Sequence, residues 1–256
     1  QEYTNYMKSA KLSTNSANTA MVKRVGQRLA TAVETYLNEH GMAADAKEYS
    51  WEFNLVQDKS VNAFCMPGGK IVVYEGLLPI TQDEASLAIV LGHEIAHAVA
   101  KHSAEQMSKQ IKNQYGTQIL GQVLNAAGVS SSTTQLAQII AQKGLQFRSL
   151  KYSRDNESEA DHMGLIFAAM AGYDPNVAVT FWQRMAQATG SNNQSDIFSD
   201  HPSDAKRIAA IKQELPEALT YYKPVKTTTT TKKTTTSTKK KTRTTSKKKT
   251  TKTRRK

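Results

Sequence analysis

Leu91-Gly92-His93-Glu94-Ile95-Ala96-His97-Ala98-Val99-Ala100-Lys101-His102 is the stretch from which the rest of the chain is read. Residues four apart on an α-helix differ by about 40° of rotation and about 6 Å of rise, so His93 and His97 can present their imidazoles to one ion. Glu94, one residue on, is placed to take a proton from water as a general base without itself ligating the ion. The H-E-x-x-H spacing also arises by chance. Here it lies inside an apolar stripe of Leu87, Val90, Leu91, Ile95, Ala98 and Val99. Imidazoles and a carboxylate within such a stripe need a partner that offsets their desolvation, and one zinc ion per chain supplies it.

Just upstream, Thr81-Gln82-Asp83-Glu84 has the T-x-x-E form of a capping box with acidic residues in the first turn. This predicts that the His93 helix starts there and runs to about Lys109. Earlier still, Val22, Val25, Leu29, Val33, Tyr36 and Leu37 recur at helical spacing between Ser16 and His40, as in a helix that buries one face. Trp51, Phe53 and Leu55 alternate with polar residues. Val61 to Met66 and Ile71 to Tyr74 flank Pro67-Gly68-Gly69. Together they predict a small antiparallel sheet with a glycine-containing hairpin.

Downstream, 111–146 reads as a helical hairpin or a flap beside the site. Ser153 is a candidate N-cap for a helix from Arg154 to about Ala171, which stops at Gly172. Pro175 opens a further helix through Phe181, Trp182 and Met185, a polar loop covers 190–200, and Ser203 caps a final helix ending near Pro216. The expected class is α+β and mostly helical.

A catalytic zinc usually takes three protein ligands. Glu105 lies about 12 Å beyond His97 along one helix axis, and His102 is about 7.5 Å along and turned about 140° away. His102 also comes one place early for the extended three-histidine motif, where Ala100 replaces the glycine. The third ligand is therefore sought on the 154–171 helix. There Glu157 and Asp161, four apart, share a face, so that one can bind the ion while the other receives the free ring N–H of a ligating histidine. Glu159 points away and is expected to face solvent, with His162.

The 256-residue chain carries 34 basic and 22 acidic residues, but its last 31, Lys226 to Lys256, are only Thr, Lys, Arg and Ser and hold 14 of the basic ones. The remainder, 1–225, is left with 20 basic against 22 acidic residues, and is expected to form one domain. The tail, 226–256, cannot bury enough apolar surface to order itself and is expected to be disordered. It can hold polyanions or an anionic membrane surface by counterion release, or simply be solvated. Without aromatic residues among its lysines it does not suit base stacking or sequence-specific nucleic-acid reading. The single cysteine, Cys65, excludes an intrachain disulfide. No apolar run reaches the roughly 20 residues of a membrane span. The opening on Gln1 suggests a form whose signal segment has been removed.

Asn62-Ala63-Phe64, Pro67-Gly68-Gly69, His93-Glu94-Ile95-Ala96-His97, Ser153-Arg154, Glu157-x-x-x-Asp161, Ala171-Gly172-Tyr173-Asp174-Pro175 and His201-Pro202-Ser203 occur in this order. In this the chain resembles the zinc metallopeptidases that include the CaaX prenyl proteases, the HtpX heat-shock proteases and soluble bacterial envelope relatives. The resemblance implies a gluzincin fold with His93, His97 and Glu157 as ligands, Glu94 as general base and Asp161 behind a ligating histidine. It implies that His201 approaches the metal, either stabilising the oxyanion or acting as a fourth ligand that keeps the enzyme latent. It also implies that a strand edge, here Gly69, Lys70, Ile71 and Val72 with Val73, holds polypeptide substrate as an added strand. Arg207, a turn beyond His201, is a candidate for binding substrate carbonyls or orienting the loop. The implied activity is endopeptidase action on unfolded or misassembled envelope proteins, in periplasmic quality control. The competing readings are an inactive zinc-containing scaffold with chaperone function and a polyanion binder run by its tail.

Overall fold

The computed structural model describes residues 2–115, 152–190 and 205–224. The expectations for most of 111–146, for the 190–200 loop, for His201-Pro202-Ser203 and for the 226–256 tail lie outside the described residues. Helix α1 (Glu2–Ser9) precedes the long α2 (Ser16–Glu39) and a single turn, α3 (Ala43–Ala46). Three strands follow: β1 (Glu52–Val56), β2 (Ala63–Met66) and β3 (Lys70–Tyr74). Then come α4 (Leu78–Thr81), α5 (Glu84–Val99), α6 (His102–Tyr115), α7 (Arg154–Met170), α8 (Val177–Gly190) and α9 (Ala205–Tyr221). The class is α+β, as the sequence predicts.

Helix α2 begins at Asn15, whose side chain accepts the Asn18 N–H at 3.0 Å, a cap of the kind that stabilises a helix by about 1 kcal/mol. Its stripe of Val22, Val25, Leu29, Val33 and Leu37 is buried, packed into one core with Phe53, Leu55, Ile71, Val73 and the buried residues of α5, α7 and α8. The opposite face of the sheet, with Val56, Val72 and Tyr74, is covered by Tyr3, Tyr6 and Met7 of α1.

The sheet is mixed rather than antiparallel. Its order is β1-β3-β2, with β1 and β3 parallel and β2 and β3 antiparallel. Ile71-Val72-Val73-Tyr74 is buried throughout. A continuous apolar run suits a strand covered on both faces, and it takes the middle of the sheet. The β2–β3 hairpin fills one side, so β1 can pair only along the other. The hairpin turns at Gly68 and Gly69, both at φ +80°, a conformation that disfavours any side chain with a Cβ. A Cβ on Gly69 would also stand 2.6 Å from the Trp51 ring.

Three helix boundaries differ from expectation. Thr81 closes α4, its hydroxyl donating to Leu78 O, and Gln82 turns the chain at φ 66°. Asp83, in extended conformation, is the actual N-cap of α5 and accepts the Ser86 N–H at 2.7 Å. The helix also does not run to Lys109. It stops at Val99, and Lys101 takes φ 58° before α6 begins. Two tertiary contacts hold this break: Lys101 Nζ reaches Asp45 Oδ1 at 2.8 Å, and His102 is carried into the interior, 2 % exposed. Ser153 does cap α7, in a reciprocal box with Asn156. Helix α9 passes through Pro216 instead of ending there, its last turn kept on the core by buried Ala218.

Among the described residues, no helix is long and apolar enough to cross a membrane.

Candidate metal centre

Helix α5 is buried from Ser86 to His97 without interruption. It can carry two imidazoles and a carboxylate only because α7 brings matching polar groups to them. The two helices meet at glycines. A Cβ on Gly92 would lie 2.8 Å from Gly164 O, and one on Gly164 would lie 2.8 Å from His93 N. Backbone therefore rests on backbone at this crossing. Glu157, Asp161 and Gly164 are spaced four and three apart, on one face of α7, so the face that makes the contact also carries both carboxylates.

Three donor atoms converge there. His93 Nε2 lies 3.0 Å from His97 Nε2 and 3.4 Å from Glu157 Oε2, while His97 Nε2 lies 3.3 Å from Glu157 Oε1. Ligands held about 2.0–2.1 Å from a tetrahedral zinc are about 3.3 Å from one another. The triangle therefore has the size of a zinc site, and among the described residues these three form a group with metal-ligating geometry. The donor set, two imidazoles and one carboxylate, is also chemically that of a catalytic zinc. Glu94 is 4 % exposed beside it.

The electrostatics call for positive charge. Among the described residues, three carboxylates (Glu94, Glu157 and Asp161) are buried here with one guanidinium, that of Arg207. Burial pulls the His93 pKa down, but its hydrogen bonds to Asp161 and Glu157 outweigh this and raise it to about 9. A site that draws a proton onto an imidazole in this way suits a divalent cation. Asp161 is itself held below the usual carboxylate range: burial works to raise it, while the charge of Arg207 and the hydrogen bond from His93 prevail.

Asp161 Oδ1 lies 3.0 Å from His93 Nδ1, so the ring nitrogen not facing the triangle meets a carboxylate. Arg207 donates from Nε to Asp161 Oδ2 at 2.6 Å and from Nη2 to Oδ1 at 2.8 Å. Its Nη1 stands 3.0 Å from Glu157 Oε2, and the guanidinium lies 3.9 Å over the Trp182 ring. The fork thus meets both carboxylates of α7. Arg207 braces the site's charge, a part that the expectation for it, binding substrate carbonyls or orienting the loop, did not include.

Gly69, Lys70, Ile71 and Val72 do not form a docking edge. Strand β3 is paired on both sides, so its backbone groups cannot take up an added strand. His201 lies outside the described residues. The sequence missed His102, Tyr152 and the inward role of Glu159. His102 Nδ1 lies 2.9 Å from His97 Nδ1, its Nε2 lies 3.2 Å from Glu159 Oε2, and Tyr152 stacks on His97 at 4.0 Å. Glu159 is solvent-exposed on one side as expected, but it also carries this bond. The Lys101 break that allows it leaves no periodic signal.

The model of peptidase family M48 matches residues 16–215. The chain belongs to peptidase family M48. It is 41 % identical over 172 residues to the mitochondrial metalloendopeptidase OMA1 of Schizosaccharomyces pombe, covering 67 % of this chain and 48 % of that protein. It is 32 % identical over 176 residues to human metalloendopeptidase OMA1, covering 67 % and 34 %. With the beta-barrel assembly-enhancing protease of Escherichia coli O157:H7 it shares 31 % identity over 186 residues, covering 68 % and 37 %. The chain thus spans half or less of the length of these relatives.

Proposed function

We propose that this chain is a zinc-dependent endopeptidase that hydrolyses internal peptide bonds of unfolded or misassembled polypeptides. The observation that carries the reading is the triangle of His93, His97 and Glu157, of zinc-site size and next to a buried Glu94. Bound zinc supplies Lewis acidity for the scissile carbonyl and for water. The chain's own residues do the rest. Glu94 takes the proton of the attacking water and returns it to the leaving amine. Asp161 holds His93 in the tautomer that leaves Nε2 free to ligate, and Arg207 neutralises Asp161 and Glu157. The helix crossing at Gly92 and Gly164 fixes the spacing of His93, Glu94 and His97 against Glu157 and Asp161.

Substrate docks on β2 in this reading. Tyr74 N donates to Asn62 O at 3.0 Å, and antiparallel pairs alternate, so Phe64 and Met66 turn their backbone groups toward β3. Ala63 and Cys65 turn theirs to the outer edge, where an extended peptide can add as a strand with modest sequence preference. This edge runs beside the candidate centre. Burial pushes the Cys65 thiol up and the nearby Glu94 carboxylate adds to the shift.

Envelope proteins are proposed as substrates because the chain resembles bacterial envelope proteases, and the similarity to a beta-barrel assembly-enhancing protease accords with this. The mitochondrial OMA1 relatives accord with organellar substrates instead. His201 is proposed as the gate of a latent site and the 226–256 tail as a contact to anionic surfaces. Cleavage of casein by wild type, Glu94→Gln and His201→Ala, with zinc content measured on each, tests the reading. Wild type or His201→Ala should cut, and Glu94→Gln should hold zinc without cutting. Zinc-loaded protein that cuts in none of these forms would favour the scaffold reading.

A further inference from the structure

His97 and His102 belong to different helices, yet their Nδ1 atoms are 2.9 Å apart and both rings are 2 % exposed. Two imidazole nitrogens this close share one hydrogen, so one donates and the other accepts. The inference rests on the reading that His97 ligates zinc through Nε2. In a neutral ring whose Nε2 lone pair is so committed, the hydrogen is on Nδ1. His102 Nδ1 is then the acceptor, and the hydrogen of His102 itself is on Nε2. That nitrogen is 3.2 Å from Glu159 Oε2, which accepts it. Every hydrogen along the path has one acceptor, and the path ends on a carboxylate at the surface.

Two further features hold this arrangement. Tyr152 stacks on the His97 ring at 4.0 Å and 30°, its hydroxyl hydrogen-bonded to Ser103 Oγ at 2.9 Å. Lys101 adopts a left-handed φ of 58°, which disfavours a residue with a Cβ by roughly 1–2 kcal/mol. On an unbroken helix His102 would be turned well away from His97. The strained residue is what returns it.

The geometry points to His102 as the positioning residue of His97, relaying to Glu159. Asp161, braced by Arg207, takes the same part for His93. The two ligating histidines are thus oriented by unlike partners, a carboxylate for one and a neutral imidazole for the other. Outer partners of this kind govern metal affinity by about 10–100-fold.

The test is zinc affinity of the full chain, by competition with a chelator, for wild type, His97→Ala, His102→Leu and His102→Asn. Asparagine places Oδ1 where Nδ1 stood and keeps an acceptor for His97 without the ring. His102→Leu should weaken zinc by about 10–100-fold, and His102→Asn should recover most of the loss. Equal weakening by both, or by neither, would overturn the assignment. Nitrogen-15 NMR of zinc-loaded wild type gives an answer that no variant's folding can obscure: His102 is expected as the Nε2–H tautomer, and the Nδ1–H tautomer would refute it. Wild-type zinc affinity in His97→Ala would instead remove the underlying metal-site reading.

Discussion

Replacing Gly164 by Ala should separate the stability of the fold from the integrity of the metal centre. The new Cβ would start 2.8 Å from His93 N and 3.0 Å from His93 Cα and Gly92 C. These are backbone atoms of a helix buried all round, and they cannot swing aside. Reaching an ordinary contact of 3.4 Å requires the helices to part by about 0.6 Å, whereas metal–ligand distances tolerate about 0.2 Å. Overpacking of this size costs about 1–3 kcal/mol, and Ala recovers about 1 kcal/mol over Gly in a helix. The zinc-free protein should therefore lose no more than about 2 kcal/mol. Its zinc affinity should fall about 100-fold or more, since a ligand itself is displaced rather than a group behind one. Chelator competition reads the affinity, and a denaturant melt of the zinc-free form reads the stability. Unchanged zinc affinity in Gly164→Ala would refute the argument that the glycine crossing sets the spacing of His93 and Glu157.

Other perturbations address separate parts of the account. Arg207→Met leaves Asp161 and Glu157 buried without their guanidinium, and a denaturant melt should show a loss of about 3–5 kcal/mol. Cys65→Pro removes one outward N–H from β2, at an edge where proline is tolerated. In the peptidase assay KM should rise roughly five- to tenfold, the worth of one hydrogen bond, with zinc content unchanged; an unchanged KM would move the substrate off β2. Lys101→Gly removes the left-handed strain and sacrifices an ion pair whose lysine is exposed, so thermal unfolding should shift little. Lys101→Val, β-branched at φ 58°, should be the less stable of the two by about 1–2 kcal/mol.

What could be read from the sequence was what lies within a single helix. His93 and His97, and likewise Glu157 and Asp161, are four apart, and helical geometry alone puts each pair on one face. The Ser153 cap and the α2 stripe were legible for the same local reason. The sheet was legible in its hairpin but not in its order. Two adjacent segments suggest antiparallel pairing, whereas the continuous burial of Ile71 to Tyr74 decides which strand lies in the middle. The contrast with the alternating β1 carried that signal. Thr81 and Asp83 compete for one cap, and the turn at Gln82 settles it. His102 could not be read, because its place depends on a left-handed lysine with neither glycine nor proline to announce it. Arg207 was noticed, but its partners come from a helix some 46 positions earlier, a contact that periodicity does not encode.

The most direct test of the central claim is to strip the metal from whichever of wild type and His201→Ala cleaves casein and follow cleavage as zinc is returned, with Glu157→Ala in the same background in parallel. Activity should be absent without metal, rise in proportion to zinc, level off at one equivalent per chain, and fail to return in Glu157→Ala at the same zinc concentrations. Cleavage by the metal-free chain, or full activity in zinc-treated Glu157→Ala, would contradict the account.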